Sequence, residues 1–415
     1  MITGKEKIKC GLIGEKLGHS FSPQIHRELA DYSYSLFEMQ ESEVGEFLRS
    51  QKFDATNVTI PYKKTVMPFL DEISDEARRI GSVNTITRTE KGLRGDNTDY
   101  YGFSYMVKKS GIEIKNKKVL ILGTGGASLT ANTVCADMGA ESIVHVSRTG
   151  EVNYENVYSL CAEYEVIVNC TPVGMYPKNS LSPIELERFK SCLGVIDMIY
   201  NPAKTQLLLD AERLNIPFVN GLSMLVAQAK RACELFLGES IDDSEIDRIT
   251  DSIASETGNV ILVGMPGCGK TTVGRLLSEA LGRALIDTDE MITAAFGRTP
   301  SEIINADGEE AFRKVEHVEV ANAGKMSGMV ISTGGGVVTR RENFDVLRQN
   351  GTVVFINRAT DTLDTFDRPL SQKNKLSEMY QKRLPLYREI CDFEVANDKT
   401  PEECASIIIK KLEKR

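Results

Sequence analysis

The feature that most constrains the fold is a glycine-rich loop late in the chain. Residues 264–272 read GMPGCGKTT, which matches the pattern G-x-x-x-x-G-K-[ST]. The loop follows the apolar run Val260–Val263 and precedes a helical pattern over Val273–Leu281. A strand, a glycine loop and a helix in this order form a phosphate cradle, because the loop N–H groups point at phosphate oxygens. A plain glycine turn is the alternative, and the complete pattern disfavours it. The sequence therefore predicts a P-loop domain after more than half of the chain.

This loop and the acidic residues after it suggest ATP and Mg²⁺ as ligands. We expect Lys270 to reach the outer phosphates and Thr271 to hold Mg²⁺. Asp287 and Asp289 follow a short apolar run, and carboxylates two apart at a strand end face alike. One would order Mg²⁺, with Asp287 as the metal residue, and the other would bind the acceptor; a helix N-cap is the alternative. The predicted ATP-binding positions are Gly264, Gly267, Gly269, Lys270, Thr271 and Thr272.

Length and composition bound the class of protein. A chain of 415 residues predicts two to three domains, and 41% hydrophobic with 26% charged residues is ordinary for a soluble globular protein. No apolar run approaches the roughly 20 residues of a membrane helix, and the N-terminus lacks an apolar signal core. The net charge of −9 argues against a general nucleic-acid binder. Nine scattered cysteines without C-x-x-C spacing favour a reducing cytoplasm and no structural zinc.

Strand-like and helix-like patterns alternate along the chain, which predicts parallel sheets flanked by helices. The clearest helical pattern covers Leu222–Leu237. A further pattern with Ile246, Ile249 and Ile253 ends the first half. We interpret the short polar piece 255–259 as a linker between two independent halves.

A second glycine cluster lies in the first half. Gly123–Ser128 follows the apolar run Val119–Leu122 and resembles the dinucleotide fingerprint, with Ser128 in place of the third glycine. A plain βα turn is the alternative. The next predicted strand ends at Ser147 and is followed by Arg148, which suits a ribose 2′-phosphate, so NADP is favoured over NAD although Glu151 is close by. The predicted NADP positions are Gly123, Gly125, Gly126, Ala127, Ser128, Arg148 and Thr149.

Four polar clusters without core periodicity precede this loop, at residues 20–23, 57–63, 81–85 and 96–99. Each cluster alone could be a helix cap or a turn; Ser22 with Pro23 has the pattern of an N-cap followed by proline. Together they supply hydroxyls, amides, one amine and one carboxylate, a set that suits a small polyhydroxylated acid beside a hydride donor. Lys63 and Asp99 could form the proton-transfer pair.

Residues 1 to about 255 resemble the shikimate dehydrogenase family. The matching segments include Ser20–His26, Asn57–Lys63, Gly95–Gly102 and Asn169–Met175. The resemblance implies a two-lobed α/β unit with a substrate lobe at 1–105 plus 222–255 and a Rossmann NADP-binding domain at 106–221. It also implies that Lys63 is catalytic together with Asp99. The implied substrate-binding residues are Ser20 and Ser22 for the carboxylate and Thr59, Asn84, Asp99, Tyr200 and Gln228 for the ring hydroxyls.

Residues 259–415 resemble the shikimate kinase family, through the P-loop, Gly308–Glu316, Gly334–Gly336 and Arg383–Tyr387. The resemblance implies a P-loop, nucleoside-monophosphate-kinase-like parallel α/β domain at 256–415. In it Arg313 and Arg383 would clamp the substrate carboxylate, and Asp289 would bind the hydroxyl that is phosphorylated. Lys270 would stabilise the phosphates. Gly335 and Gly336 would touch the substrate, and Arg368 would reach ATP from a lid that looks shorter than usual.

The two resemblances imply one bifunctional enzyme, because the product of the first reaction is the substrate of the second. It would reduce 3-dehydroshikimate with NADPH and then phosphorylate shikimate with ATP, as a cytoplasmic protein without nucleic-acid or membrane partners; its oligomeric state stays open. One alternative is an active dehydrogenase fused to a weak kinase-like module. Another takes quinate as the substrate. A third is a P-loop regulatory switch.

Overall fold

The computed structural model describes residues 8–18, 20–50, 52–359 and 373–414, the side chains of 373–375 excepted. The chain forms two compact units, and each contains more than one stretch of sequence. Unit 1 comprises Met1–Val173, Ser182–Tyr200 and Asp210–Ser252. Unit 2 comprises Gly174–Leu181, Asn201–Leu209 and Ile253–Arg415.

The first sheet of unit 1 has the strand order β2-β1-β3-β5-β6-β4. Its strands are β1 (Lys9–Gly14), β2 (Ser33–Glu38), β3 (Ala55–Val58), β4 (Glu72–Ile73), β5 (Thr85–Thr89) and β6 (Gly92–Asp96). The helices along this part are α1 (Ser22–Leu29), α2 (Glu41–Arg49), α3 (Asp75–Ile80) and α4 (Asp99–Ser110).

The expectation of wholly parallel sheets is wrong for this first sheet. Strand β5 runs antiparallel to both β3 and β6. Only residues 90 and 91 separate β5 from β6, and so short a connection permits antiparallel pairing alone. The strands β1, β2 and β3 pair in parallel, as expected.

The second sheet of unit 1 is parallel throughout, with the order β11-β10-β9-β7-β8. Its elements are β7 (Lys118–Leu122), α5 (Gly126–Asp137), β8 (Ser142–Val146), β9 (Val166–Asn169), β10 (Gly194–Asp197), α6 (Gln206–Arg213) and β11 (Phe218–Val219). Strands β7, β9 and β10 bury both faces, as the β-branched composition of central parallel strands requires. This is the predicted Rossmann-type α/β sheet.

Two further helices complete this part of the chain, α7 (Leu222–Leu237) and α8 (Ser244–Thr257). The bounds of α7 are those predicted from the sequence. Helices α4 and α7 pack closely at Gly102, where a Cβ atom would lie 2.6 Å from the carbonyl oxygen of Met224 and 3.0 Å from Cβ of Gln228. The glycine therefore allows the contact that brings α7 to the polar cluster at the start of α4.

The third sheet lies in unit 2 and is parallel, with the order β13-β14-β12-β15-β16. Its strands are β12 (Asn259–Val263), β13 (Leu285–Asp287), β14 (Val330–Ser332), β15 (Gly351–Asn357) and β16 (Phe393–Ala396). The helices are α9 (Lys270–Leu281), α10 (Thr288–Phe296), α11 (Pro300–Asp307), α12 (Glu309–Gly324), α13 (Glu342–Arg348), α14 (Lys373–Ile390) and α15 (Pro401–Leu412). The predicted P-loop α/β fold is confirmed.

The predicted linker at 255–259 is wrong. Helix α8 continues to Thr257, whose hydroxyl donates to the carbonyl of Ile253 at 2.7 Å, and β12 begins at Asn259. Gly258 alone separates the two elements, and its N–H donates to the carbonyl of Ala254 at 3.0 Å. The polar residues here complete a helix and begin a strand, which composition alone does not distinguish from a solvated linker. Of the helices described, none has the length and apolar character to cross a bilayer.

Candidate active sites

The first site centres on an ion pair between Lys63 and Asp99. Lys63 lies in the turn that follows β3, and Asp99 is the first residue of α4. Their Nζ and Oδ2 atoms are 2.6 Å apart, and the two side chains are 27% and 17% exposed. The structure therefore brings the predicted pair together in a setting that a ligand can reach. An ammonium held by a carboxylate can give a proton to a developing alkoxide.

A buried amide and hydroxyl network adjoins this pair. The Oδ1 atom of Asn84 accepts from the N–H of Thr98 at 2.7 Å, and Asn84 Nδ2 donates to Thr98 Oγ1 at 3.1 Å. Thr98 Oγ1 donates in turn to Gln228 Oε1 at 3.4 Å. The predicted residues Asn84 and Gln228 are thus joined through Thr98. Thr98 is a site residue that the sequence motifs do not single out; its place directly before Asp99 is the one signal in the sequence.

Ser20 and Ser22 flank Phe21, whose ring lies beside that of Tyr200. The N–H of Ser22 donates to Ser20 Oγ at 3.2 Å, and the rings of Phe21 and Tyr200 meet edge-on with centroids 6.1 Å apart. The expected N-cap role of Ser22 is wrong, because Phe21 occupies the cap position and α1 begins at Ser22. Thr59 directly follows β3, and its N–H donates to the carbonyl of Ile13 at 2.9 Å.

The dinucleotide loop presents an open helix N-terminus. Gly123 has φ of +104°, and a Cβ there would lie 3.1 Å from Thr171 Cγ2. Gly125 and Gly126 are exposed, and Cβ atoms there would meet no atom within 4 Å, so the loop at the start of α5 is open. The buried Ser128 donates its hydroxyl to the carbonyl of Gly125 at 2.6 Å. Ala127 is exposed. This geometry fits a pyrophosphate at a helix N-terminus.

Arg148 and Thr149 are exposed just beyond the end of β8, where the cofactor ribose lies in Rossmann folds. Burial raises the pKa of Tyr154, and the positive charge of Arg148 acts on this phenol in the opposite direction. The charge of Arg148 therefore acts on Tyr154, although no sequence motif joins the two residues.

The second site is the P-loop of unit 2. Gly264 has φ of +154°, and a Cβ there would overlap the carbonyl oxygen of Ile356. Lys270, the first residue of α9, is 8% exposed, and its Nζ donates to the carbonyls of Gly264 and Met265 at 2.9 and 3.0 Å. Gly267 and Gly269 also have positive φ, of 79° and 97°. The loop thus has the curled backbone of a phosphate cradle, with Thr272 exposed beside it.

The two aspartates of this site, Asp287 and Asp289, contact different residues. Thr271 Oγ1 donates to Asp287 Oδ2 at 3.0 Å, a donor set that suits Mg²⁺. Asp287 also caps α10, accepting from the N–H of Asp289 at 3.0 Å. The prediction that both carboxylates face alike from one strand is wrong, because the chain turns into a helix at Thr288. Asp289 Oδ1 instead lies 2.9 Å from where a Cβ of Gly334 would stand.

Two buried arginines converge on the glycine triplet. Arg313 is 7% exposed and its guanidinium bonds Glu316 at 2.6 Å and Glu309 at 2.9 Å. A Cβ at Gly336 would overlap that guanidinium. Arg383, which is 8% exposed, donates to the carbonyl of Gly335 at 3.0 Å. The two cations are thus gathered at one glycine-lined surface, which suits a carboxylate.

Burial raises the pKa of Glu316, and the charge of Arg313 opposes that change. Tyr387 is a further residue of this site, which was not predicted from the sequence. Its hydroxyl donates to the carbonyl of Gly335, and its ring stacks on Phe355 at 4.9 Å between centroids. Its proximity to Arg383 in the motif was the available signal.

Arg368 and the lid hypothesis lie outside the described residues.

The first fold and site define a nicotinamide-dependent dehydrogenase, and the second define a P-loop small-molecule kinase. The family model "Shikimate dehydrogenase substrate binding domain" matches residues 12–86, and "Shikimate kinase" matches residues 266–413. A shikimate dehydrogenase (NADP(+)) of Clostridium beijerinckii is 38% identical over 253 residues, covering 56% of this chain and 93% of that protein.

Comparison with solved structures also indicates the shikimate dehydrogenase family. A chorismate mutase/shikimate 5-dehydrogenase fusion protein from Clostridium acetobutylicum is 39% identical, with a TM-score of 0.57 over 59% of this chain and 96% of that one. A shikimate 5-dehydrogenase from Thermus thermophilus in complex with NADP(H) and shikimate is 28% identical, with a TM-score of 0.53 over 59% and 99%. The chain belongs to the shikimate dehydrogenase family and carries a shikimate kinase domain.

Proposed function

We propose that the chain performs two successive reactions, the reduction of 3-dehydroshikimate to shikimate with NADPH and the phosphorylation of shikimate to shikimate 3-phosphate with ATP. The observation that carries this proposal is the pairing of Lys63 with Asp99 in a chain that also matches shikimate kinase over residues 266–413. The two reactions share shikimate, so one chain holding both sites catalyses adjacent steps.

In the first reaction, bound NADPH supplies a hydride to the substrate carbonyl. Lys63 donates a proton to the oxygen of that carbonyl, and Asp99 holds the ammonium in position. The substrate carboxylate is bound by Ser20 and Ser22. The ring hydroxyls are bound by Thr59, Asn84, Asp99, Tyr200 and Gln228. The buried bonds between Asn84 and Thr98 fix one amide before the substrate arrives, which reduces the reorganisation that binding requires.

The cofactor assignment rests on the open helix N-terminus and on Arg148. The N–H groups at Gly125 and Gly126 bind the pyrophosphate, and the exposed guanidinium of Arg148 binds the 2′-phosphate. Thr149 lies next to Arg148 at the same phosphate. NADP is therefore the preferred cofactor.

In the second reaction, Arg313 and Arg383 hold the shikimate carboxylate, and Gly335 and Gly336 let the ring approach the backbone. Asp289 accepts the proton of the attacking hydroxyl. Thr271 and Asp287 would hold Mg²⁺, which would supply positive charge to the phosphates. Lys270 leaves its two loop carbonyls for the phosphate oxygens and stabilises the charge of the transferred phosphoryl group.

We also assign the three functional domains as 1–105 with 222–255, 106–221 and 256–415, and the cytoplasm as the compartment. All nine cysteines are free, which suits reducing conditions. The net charge of −9 supports small-molecule rather than nucleic-acid partners.

Initial-rate assays of the full chain test both assignments separately. NADPH oxidation is measured with 3-dehydroshikimate, and the reverse reaction with NADP⁺ is compared between shikimate and quinate. ADP release is measured with shikimate and ATP. We expect both activities and a strong preference for shikimate over quinate. Equal rates with quinate would overturn the substrate assignment, and ADP release that does not depend on shikimate would overturn the kinase assignment.

A further inference from the structure

Unit 2 includes two short segments that precede the kinase sequence. These segments are Gly174–Leu181 and Asn201–Leu209. The first begins within the dehydrogenase motif Asn169–Met175, and the second begins directly after Tyr200, which the proposed function assigns to the shikimate site. The two segments therefore belong to the dehydrogenase sequence, although they pack in one compact unit with residues from 253 onward.

One residue of the kinase sequence bonds both segments. Gln349 follows the last residue of α13 and is 1% exposed. Its Nε2 donates to the carbonyl of Asn179 at 2.6 Å, and Asn179 Nδ2 donates back to Gln349 Oε1. The carbonyl of Gln349 accepts from the N–H of Lys204 at 2.8 Å. Gln349 thus forms a reciprocal amide pair with one segment and a backbone bond with the other.

Two further hydrogen bonds link the same segments to the kinase sequence. Gln206 Nε2 donates to Asp345 Oδ2 at 3.1 Å, and the hydroxyl of Tyr176 donates to the carbonyl of Gly324 at 3.4 Å. The two segments also touch each other, because a Cβ at Gly174 would lie 3.0 Å from Cβ of Thr205. Five hydrogen bonds thus link the two segments to the kinase sequence. Two of them form the amide pair, and the other three involve Lys204, Gln206 and Tyr176.

We propose that Gln349 is a positioning residue for the dehydrogenase reaction, so that the kinase sequence is a structural part of the dehydrogenase. The inference rests on the proposed function. The side chain of Gln349 holds Asn179, four residues after Met175, and its backbone carbonyl holds Lys204, four residues after Tyr200. Removing a partner from a buried amide leaves its donor and acceptor unsatisfied, and the backbone then relaxes to find others. Such relaxation at Asn179 passes through the contact between Gly174 and Thr205 to the stretch of chain that follows Tyr200.

Full-length variants test this role with a matched control. Gln349→Ala and Asn179→Ala each remove one side of the amide pair. Asn350→Ala is the control, because Asn350 is a neighbouring amide, 5% exposed, whose Nδ2 donates to the carbonyls of Thr257 and Met326 within the kinase sequence. The kcat and KM of both reactions are measured for every variant, and the wild-type rate with 3-dehydroshikimate tests the proposed function itself.

We expect Gln349→Ala and Asn179→Ala each to lower dehydrogenase kcat/KM by about tenfold, mainly through a higher KM for 3-dehydroshikimate, while the kinase KM for ATP stays within about twofold. The double variant should lose little more than either single variant, because one interaction is removed twice. The exchange Asn179→Gln with Gln349→Asn keeps the summed length of the pair and should recover part of the loss.

Unchanged dehydrogenase kinetics in both single variants would overturn the proposal. An equal dehydrogenase loss in Asn350→Ala would overturn it as well, since the effect would then be general destabilisation. A wild-type chain without dehydrogenase activity would overturn the proposed function and this inference together.

Discussion

The ammonium of Lys63 lies 2.6 Å from the carboxylate of Asp99, although 36 positions of sequence separate them. Strand β3 delivers the lysine, and the start of α4 delivers the aspartate. The structure already holds the two charged groups together and partly exposed. Lys63 can therefore give a proton to a bound substrate without a prior rearrangement.

Lys63→Ala should abolish the dehydrogenase reaction and leave the kinase reaction intact. Loss of a positioned proton donor reduces a rate by about 10²–10⁴-fold. The matched control is Lys64→Ala, because Lys64 is the adjacent lysine and is exposed. NADPH oxidation and ADP release are measured on each protein. Near-normal NADPH oxidation by Lys63→Ala would show that another group donates the proton.

Arg148→Ala should raise the KM for NADPH far more than the KM for NADH. The exposed guanidinium binds a 2′-phosphate that NADH lacks, and a charge-assisted bond of this kind contributes about 1.5–3 kcal/mol. NADH therefore serves as the internal control within one protein. A variant in which both values rise equally would contradict the role given to Arg148, and a wild-type chain that uses both cofactors equally would contradict the NADP assignment.

Gly336→Ala should weaken shikimate binding to the kinase while ATP binding stays intact. A methyl group at this position would overlap the guanidinium of Arg313, which must then move away from the glycine-lined surface. We expect the KM for shikimate to rise by about tenfold or more, since a displaced arginine loses its charge-assisted bonds to the carboxylate. Calorimetry with ATP alone provides the control. A variant that binds neither shikimate nor ATP would contradict the prediction, because the substitution would then disturb more than Arg313.

The stability of the chain should fall as the pH decreases from about 7 to about 5, in part because of His26. This side chain is buried between Tyr34, at 4.1 Å between ring centroids, and Tyr32, whose hydroxyl lies 2.5 Å from Nδ1. Burial lowers the pKa of His26 to about 3. Between that value and the ordinary value near 6.5, the unfolded chain binds a proton that the folded chain does not, so acid favours unfolding.

This histidine should account for about 2 kcal/mol of the free energy of unfolding lost between about pH 7 and pH 5. The measurement is urea denaturation of the full chain followed by circular dichroism. In His26→Gln the loss over the same pH interval should be smaller by that amount, whatever the absolute stability of the variant. Identical pH dependence in the two proteins would mean that His26 binds protons equally well in the folded and the unfolded chain.

The sequence predicted those features that depend on short stretches of chain. The P-loop is one contiguous motif, and its strand, turn and helix follow from neighbouring residues, so Gly264, Lys270 and Thr271 were assigned without knowledge of the fold. Helix α7 was predicted with the observed bounds, because its apolar period is regular and Gly238 ends it with φ of +69°.

Features set by long-range packing were not predictable in this way. The antiparallel pairing of β5 with β3 joins two strands that β4 and α3 separate in the sequence. The polar stretch at 255–259 looked like a linker, since composition does not reveal that Asn259 Nδ2 donates to the carbonyl of Met326, 67 positions away. The bond between Thr98 and Gln228 spans 130 positions and depends on close packing at Gly102.

One mass-spectrometric assay shows whether a single chain catalyses both adjacent steps. The full chain is mixed with 3-dehydroshikimate, NADPH, ATP and Mg²⁺, beside Lys270→Met and Lys63→Ala. The wild type should form shikimate 3-phosphate, Lys270→Met should stop at shikimate, and Lys63→Ala should leave 3-dehydroshikimate unchanged yet phosphorylate added shikimate. A wild type that accumulates shikimate without any phosphate, under conditions in which ATP binds, would contradict the account.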